Sequence, residues 1–183
     1  MTEAMNTNRR GTTTNRTTAT MILGAATVTT GLMAGTFFIF ACAVMPALSR
    51  SDDRVFVQVM RDINDVIQNP LFLSAFMGAL LLCALAAWQS RTAPHRWWTW
   101  TACAAYALTF LLTMAGNIPL NDQLASTTAS ATSAREHFED AWVAWNAARA
   151  VLSTVALALL TGALLRRGRP APARSADADA ATV

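Results

Sequence analysis

Four long apolar stretches alternate with shorter polar segments along the chain. They occupy about residues 18–47, 71–88, 97–115 and 142–165. A helix of about 20 residues crosses the roughly 30 Å apolar core of a bilayer, so each stretch is long enough to span a membrane. Arginines precede the first stretch, as in a secretory signal, but it is longer than the apolar part of a signal. The pattern therefore predicts an all-α integral membrane protein with a four-helix bundle over 18–166.

Amphipathic segments lie in the two longer connections between these stretches. In the first, over 51–68, apolar residues recur at helical spacing, and Ser51 stands where a helix N-cap is expected. The second begins near Ala134 and follows a Ser/Thr-rich stretch, 126–133, that is typical of a flexible loop. We therefore expect short amphipathic helices in the two outer connections, on the same side of the membrane.

A proline stands near the end of the first and of the third apolar stretch. Pro46 is expected to stop or kink the first helix, because proline lacks the N–H group that the helix requires. Pro119 follows Gly116 closely, and this cluster predicts that the backbone leaves the helical path there. Gly31 and Gly35 form a GxxxG pattern in the first helix, which favours the close approach of another helix.

Composition and charge agree with a membrane protein and set its expected orientation. Hydrophobic residues make up 54% of the chain and charged residues 14%, whereas roughly a quarter of a soluble domain is charged. All 14 basic residues are arginines, and nine of them lie in the tails, at position 166 directly before the C-terminal tail, or in the 91–96 connection. Because basic segments stay in the cytoplasm, we expect both termini to be cytoplasmic in the inner (cell) membrane. The polar tails, 1–17 and 167–183, are expected to be disordered.

Several function classes find no support in the sequence. The arginines flank apolar stretches rather than form one patch, so nucleic-acid binding is not supported and the lipid bilayer is the expected partner. Cys42, Cys83 and Cys103 lie in different apolar stretches without metal-ligand spacing, so no zinc or iron–sulfur site is predicted. His95 and His137 fall on opposite expected membrane faces, which excludes a bis-histidine haem site.

One helical face near the start of the last apolar stretch carries polar and aromatic side chains. Five residues recur on it at helical steps: Phe138, Trp142, Trp145, Asn146 and Arg149. Polar groups at the mouth of a membrane helix are candidates for a functional site. The alternative is an interfacial tryptophan belt with an arginine that reaches a lipid phosphate. His137 lies off this face, so it joins the others only if the helix begins after it.

Amide side chains of the two longer connections are expected to meet this face. Asn64, Gln68 and Asn69 close the first connection, and Asn117 and Asn121 lie in the second. Amides, a guanidinium and aromatic rings together suit a pocket for a planar, oxygenated molecule on which negative charge develops. The structural alternative is that asparagines beside prolines simply close turns.

A set of motifs in this order resembles a known family. The segments are GLMAGTFFIFACAVMPAL, RDINDVIQNP, GNIPLND and AWVAWNAAR. Together they are similar to the family of small four-helix membrane proteins that includes the anthrone oxygenases, and the similarity covers about residues 20–165. The resemblance implies oxidation of an anthrone-like aromatic polyketide to a quinone, with molecular oxygen as co-substrate and no evident metal or flavin.

The resemblance and the residues together suggest roles for the candidate side chains. An anthrone methylene is acidified by the carbonyl conjugated to it, and its deprotonation gives an electron-rich enolate that reacts with oxygen. The hypothesis is that Arg149, Asn146 and Asn121 stabilise the enolate oxygen. Trp142 and Trp145 are expected to stack on the aromatic rings.

Two further roles complete the hypothesis, and one alternative opposes it. His137, or a water held by the amides, removes the proton, while Asn64 and Asn117 help to bind the substrate. The alternative class is a non-catalytic membrane protein that binds a lipid, a hydrophobic small molecule or a partner chain. A closed cavity lined by these residues favours an enzyme or a ligand binder, whereas side chains that splay toward headgroups favour a structural part.

Overall fold

The protein is all-α in the part of the chain that the structure describes, which confirms the predicted fold class. The computed structural model describes residues 2–167, with side chains from Arg16 onward. Its helices are α1 (Thr2–Ile39), α2 (Met45–Leu48), α3 (Asp53–Val66), α4 (Pro70–Gln89), α5 (Arg96–Leu112), α6 (Ile118–Ser126) and α7 (Ala131–Arg167). Two π-helical turns, Phe40–Val44 and Thr113–Asn117, connect α1 to α2 and α5 to α6.

Four helical segments are long and apolar enough to cross a membrane. They are Arg16–Leu48, Pro70–Gln89, Arg96–Ser126 and Ala131–Arg167. Each apolar stretch read from the sequence lies within one of them. Because α1 packs on α4 and α7, and α5 packs on the same two helices, the four segments form a closed ring. The protein is therefore a multi-pass membrane protein.

Large apolar side chains cover the outside of this ring. They come from all four segments and include Met21, Val28, Leu32, Leu81, Leu85, Leu108, Leu111, Val151, Val155 and Leu165. A soluble protein would not expose so many contiguous apolar groups. In a membrane these side chains contact lipid, so their exposure agrees with the spans.

Short helices close one end of the bundle, which we call the capped end. It comprises α2, α3, α6 and the first turns of α7, and α3 packs there on both α6 and α7. An apolar cluster fills this end, centred on Phe56, Met60 and Phe138. A second cluster fills the ring itself and includes Leu23, Tyr106 and Leu160. The two clusters meet at the level of the candidate site.

The two prolines have different outcomes. The helical path ends at Leu48, two residues after Pro46, as expected of a proline that stops or kinks a helix, whereas the path continues past Pro119 to Ser126. Pro46 and Pro119 each occupy the first turn of a new helix, immediately after a π-helical turn. A proline in the first turn of a helix lacks only an N–H that would have no partner there. The chain around Gly116 therefore stays helical, and the third membrane segment extends to Ser126 instead of ending near residue 115.

Three local expectations also differ from the structure. Asp52, not Ser51, caps α3, because its carboxylate accepts the Val55 N–H at 3.1 Å. The loop expected at 126–133 is shorter, since α7 already begins at Ala131 and joins the second amphipathic segment to the last span. The third difference is that the second amphipathic segment forms the start of α7 and is not a short helix of its own, while the short helix of this connection is α6.

The structure describes the backbone of the N-terminal tail from Thr2, but only the first residue of the C-terminal tail. The backbone of α1 is helical from Thr2, within the segment 1–17 that was expected to be disordered. That segment holds no proline and one glycine, Gly11, so little in its sequence ends a helix. The expected C-terminal tail, 167–183, lies outside the described residues apart from Arg167.

The glycines that permit close helix contacts are not those of the GxxxG pattern. A methyl group on Gly35 would meet no atom within 4 Å, and one on Gly31 would make only ordinary contact with Leu157. On Gly116 it would lie 2.6 Å from the indole of Trp145. On Gly162 it would lie 2.5 Å from the indole of Trp98. Tryptophan rings packed on bare backbone therefore join α5 and its π-helical turn to α7 at both ends.

Candidate functional site

A cavity of about 190 Å³ lies where the two apolar clusters meet, below the capped end. All four membrane segments and α3 contribute to its wall. The lining residues used below are Phe37, Asn64, Gln68, Leu73, Asn117, Ile118, Asn121, Asp122, Trp142, Asn146 and Arg149. An apolar cavity of about 150 Å³ is known to take up benzene, so this one has room for an aromatic ring.

The α7 helix supplies the polar floor of the cavity. Trp142, Asn146 and Arg149 follow one another at steps of four and three residues, which places them on one face. Asn146 is 1% exposed, and its amide donates to the Phe37 carbonyl of α1 at 3.1 Å. Its oxygen accepts from Arg149 Nη2 at 2.9 Å. Asn146 therefore anchors the arginine to the neighbouring helix.

Arg149 is a buried guanidinium without a carboxylate partner among the described residues. It is 6% exposed and forms no ion pair there. Its guanidinium carbon lies 4.4 Å from the centre of the Phe37 ring and 5.6 Å from that of Trp142. Ring faces stabilise a cation by only about 0.5–2 kcal/mol. A charge this deep in a membrane segment is costly and typical of a functional site.

Unpaired polar atoms surround this guanidinium. Arg149 Nε, Asn64 Nδ2 and both amide atoms of Asn117 are buried without a hydrogen-bond partner within the protein. Buried polar groups are normally satisfied, because each unpaired one costs about 1–3 kcal/mol. All three residues line the same cavity. Their free atoms thus mark a place for a ligand that carries oxygen atoms.

A fixed tryptophan forms the aromatic wall. Trp142 Nε1 donates to Asn121 Oδ1 at 2.9 Å. Its ring packs on Phe40 and Phe138, with centroid distances of 5.6 and 6.1 Å. Asn121 therefore has a positioning contact with Trp142. The hypothesis gave it a direct part in binding an enolate oxygen, for which its Nδ2 is the donor, so this part stays a prediction.

The two π-helical turns both border the cavity. Phe40 comes from the first turn, and Thr113 and Asn117 come from the second. A π-helical turn inserts one residue into a helix, which shifts the following side chains around the axis, and such turns occur frequently at functional sites. Asn117 ends the second turn and is 1% exposed.

Six of the eight candidate residues come together in this cavity, and two do not. His137 lines a separate surface hollow with Leu120 and Phe138, and its Nδ1 pairs with the Ser133 carbonyl at 2.8 Å. Because α7 begins at Ala131, His137 stays off the face of Arg149, so the structure gives it no access to the cavity. Trp145 is 36% exposed and covers Gly116 outside the cavity.

The remaining amide of the first connection has a structural role. Asn69 caps α4, since its side-chain oxygen accepts the Phe72 N–H at 3.0 Å. This is the turn-closing alternative given for asparagines beside prolines. Gln68, in contrast, lines the cavity.

Sequence reasoning missed most of the remaining lining, including Phe37 and Asp122. Phe37 meets Arg149 across a helix contact, for which the sequence carries no signal. Asp122 follows Asn121 directly, so its position beside a candidate residue was the available signal. Among the described residues, no group of three or more histidine, cysteine or acidic side chains is placed to hold a metal ion.

Comparison with known families identifies the chain. A family model described as anthrone oxygenase matches residues 67–159, just over half of the 183 residues. The chain belongs to the anthrone oxygenase family. The matched region of this anthrone oxygenase family member includes five of the six predicted site residues that line the cavity: Asn117, Asn121, Trp142, Asn146 and Arg149. No curated protein and no solved structure matches the chain.

Proposed function

We propose that this protein oxidises an anthrone-type aromatic, such as a polyketide, to the quinone with molecular oxygen. The observation that carries the proposal is the buried guanidinium of Arg149, which has no carboxylate partner among the described residues and lines the same cavity as the unpaired amide of Asn117. Such donors stabilise an oxygen that becomes negative during the reaction, in a site where water does not screen the charge. Membership of the anthrone oxygenase family supports the same chemistry.

The proposed reaction begins with loss of a proton from the anthrone methylene. The electron pair of the broken C–H bond moves into the ring system, and the carbonyl becomes an enolate oxygen. The enolate carbon then transfers electrons to oxygen and bonds to it, which gives a peroxide at that carbon. Loss of water leaves the second carbonyl, so that anthrone and O₂ give quinone and H₂O. Because the enolate supplies the electrons, the proposed reaction has no resident cofactor.

In the proposed reaction, polar cavity residues stabilise the enolate oxygen and aromatic ones bind the substrate rings. Arg149 and Asn117 donate to the enolate oxygen, and Asn146 holds the guanidinium in place through its 2.9 Å hydrogen bond. The rings of Phe37 and Trp142 flank the same position and pack on the aromatic substrate. Each donor to a developing oxyanion contributes about 3–4 kcal/mol to lowering the barrier.

The protein is proposed to lie in the inner membrane with both termini in the cytoplasm. The end opposite the capped end carries Arg16, Arg166, Arg167 and the 91–96 connection, and basic segments remain cytoplasmic. The cavity then lies near the outer interface, where an apolar aromatic molecule can enter from the bilayer.

The activity test uses the full chain purified in detergent. We expect it to accelerate oxygen uptake with an anthrone above the rate in empty micelles, with one O₂ consumed per quinone formed. With ¹⁸O₂, the new carbonyl of the quinone carries the label. If the protein binds the anthrone but leaves the micelle rate unchanged, the oxidase proposal fails and the protein is a binder of hydrophobic molecules.

A matched pair of variants tests the cavity itself. Asn117→Leu keeps the number and branching of the side-chain heavy atoms but removes the unpaired amide, so we expect a fall in kcat of about 10²-fold or more. Its thermal midpoint should stay equal or rise, since an unsatisfied buried amide is removed. Trp145→Phe, which lies outside the cavity, is the control and should keep its activity. Loss of activity in both variants alike would contradict the assignment of the cavity.

A further inference from the structure

The closed end of the cavity lacks a group that can accept the proton. This inference rests on the proposed function, whose first step removes a proton from carbon. The buried polar residues around Arg149 are asparagines, whose amides are not bases at neutral pH. His137, the residue expected to serve as the base, lies in a different hollow.

One carboxylate lines the cavity, at its open end. Asp122 is on α6, directly after Asn121, and its side chain is exposed. Exposed Gln68, Leu73 and Ile118 form the same rim. The described residues give the Asp122 carboxylate no hydrogen-bond partner, since only its backbone carbonyl is engaged, by Ser126. Its oxygen atoms are therefore free to meet a molecule in the cavity and to exchange protons with water.

The shape of an anthrone relates this rim to the buried guanidinium. The carbonyl and the methylene of an anthrone lie at opposite sides of its central ring. If the carbonyl oxygen points to Arg149 at the closed end, the methylene must point to the open end. The group that takes the proton is then required at the rim, where Asp122 lies.

We propose that Asp122 is the catalytic base that removes the methylene proton. A carboxylate oxygen binds the proton, and the electrons of the C–H bond pass into the enolate whose oxygen is held by Arg149. The proton then leaves to water at the exposed rim, which restores the carboxylate. An aspartate base opposite an oxyanion site also removes a proton next to a carbonyl in ketosteroid isomerase, so a weakly basic carboxylate suffices.

Hydrogen–deuterium exchange without oxygen isolates this step. The full chain in detergent is mixed with an anthrone in D₂O under nitrogen, and deuterium in the methylene is followed by NMR. We expect the wild-type protein to accelerate exchange above the micelle rate. Asp122→Asn should lower this acceleration by about 10²-fold or more, while it still binds anthraquinone. Asp65→Asn removes one exposed carboxylate of α3 outside the cavity, and it should exchange like the wild type.

The outcomes separate this proposal from the proposed function. Quinone formation by the wild type together with undiminished exchange in Asp122→Asn would overturn the role of Asp122 and leave the oxidase in place. Failure of the wild type to form quinone would overturn the oxidase, and the base with it. If Asp122→Asn does not fold, Asp122→Gly serves instead, with formate added as a replacement carboxylate. Exchange that returns with formate supports the role, and exchange that was never lost overturns it.

Discussion

Two arginines on the same helix have opposite environments. Arg135, in the second turn of α7, pairs with Asp53 at 3.1 Å and with Glu139 at 2.6 Å. It also donates to the carbonyls of Ser49 and Ser51, both at 3.0 Å. All three nitrogen atoms of its guanidinium therefore donate to oxygen atoms of the protein. This arginine ties the start of α7 to the first connection.

Arg149 lies 14 residues further along α7 and has far fewer partners. Both arginines have an aromatic ring near the guanidinium, Phe56 at 4.6 Å for Arg135 and Phe37 at 4.4 Å for Arg149. Arg149, however, has one amide partner, Asn146, and an unpaired Nε although it is more deeply placed. This difference between the two arginines supports the proposal that Arg149 binds a ligand.

The largest expected effect comes from removing the open arginine. Arg149→Met keeps an unbranched chain of similar length and removes the charge, so kcat for anthrone oxidation should fall by about 10²- to 10³-fold. The thermal midpoint in detergent should not fall, because a buried charge without a carboxylate partner is removed. Oxygen uptake by the purified variant measures kcat, and thermal unfolding measures the midpoint. A variant that keeps full turnover would show that Arg149 has no part in the reaction.

Removing the fully paired arginine should have the reverse effect. Arg135→Met loses two ion pairs and two hydrogen bonds to carbonyls, worth about 2 kcal/mol together for partly exposed groups. The thermal midpoint should fall by about 4–8 °C for a chain of this size. Turnover below the melting range should remain within a few-fold of wild type. Equal losses of thermal stability in Arg149→Met and Arg135→Met would contradict the claim that the two arginines differ in their contribution to stability.

Acid should weaken the contact between Arg135 and Asp53. A hydrogen bond from the Thr132 hydroxyl, together with Arg135, lowers the pKa of Asp53 below its ordinary value. The stability that this carboxylate contributes is complete above the ordinary aspartate value of about 4. It is lost as the pH falls through the lower folded pKa. Thermal midpoints measured from pH 6 to pH 3 should show a decline that is smaller in Asp53→Asn. The same decline in both proteins would assign the acid sensitivity to other groups.

Much of the fold could be predicted because hydropathy and helical phase are local properties. The four spans follow from the apolar stretches, and the shared face of Trp142, Asn146 and Arg149 follows from their spacing. Trp145 shows the limit of that reasoning. It is turned by about 60° around the helix from Trp142 at 3.6 residues per turn, and this rotation suffices to place it on Gly116 instead of in the cavity.

The rest of the fold and of the candidate site depends on contacts between distant parts of the chain. A π-helical turn has no sequence signature of its own, so the cluster around Pro119 was read as the end of a helix that continues to Ser126. Phe37 reaches the site through a contact between α1 and α7, which no periodicity reveals. Asp122 was beside a candidate in the sequence, but its place at the rim depends on how α6 packs on α3 and α7.

The most direct test of the account measures the charge that the site stabilises. 2-Naphthol carries an oxygen on a planar aromatic, and its absorbance differs between the neutral and anionic forms. A hydrogen bond from a charged donor is worth about 1.5–3 kcal/mol, so the pKa of naphthol bound to the wild type should lie about 1–2 below that in Arg149→Met. The same pKa in both proteins, with naphthol bound in each, would contradict the claim that Arg149 stabilises a substrate oxyanion.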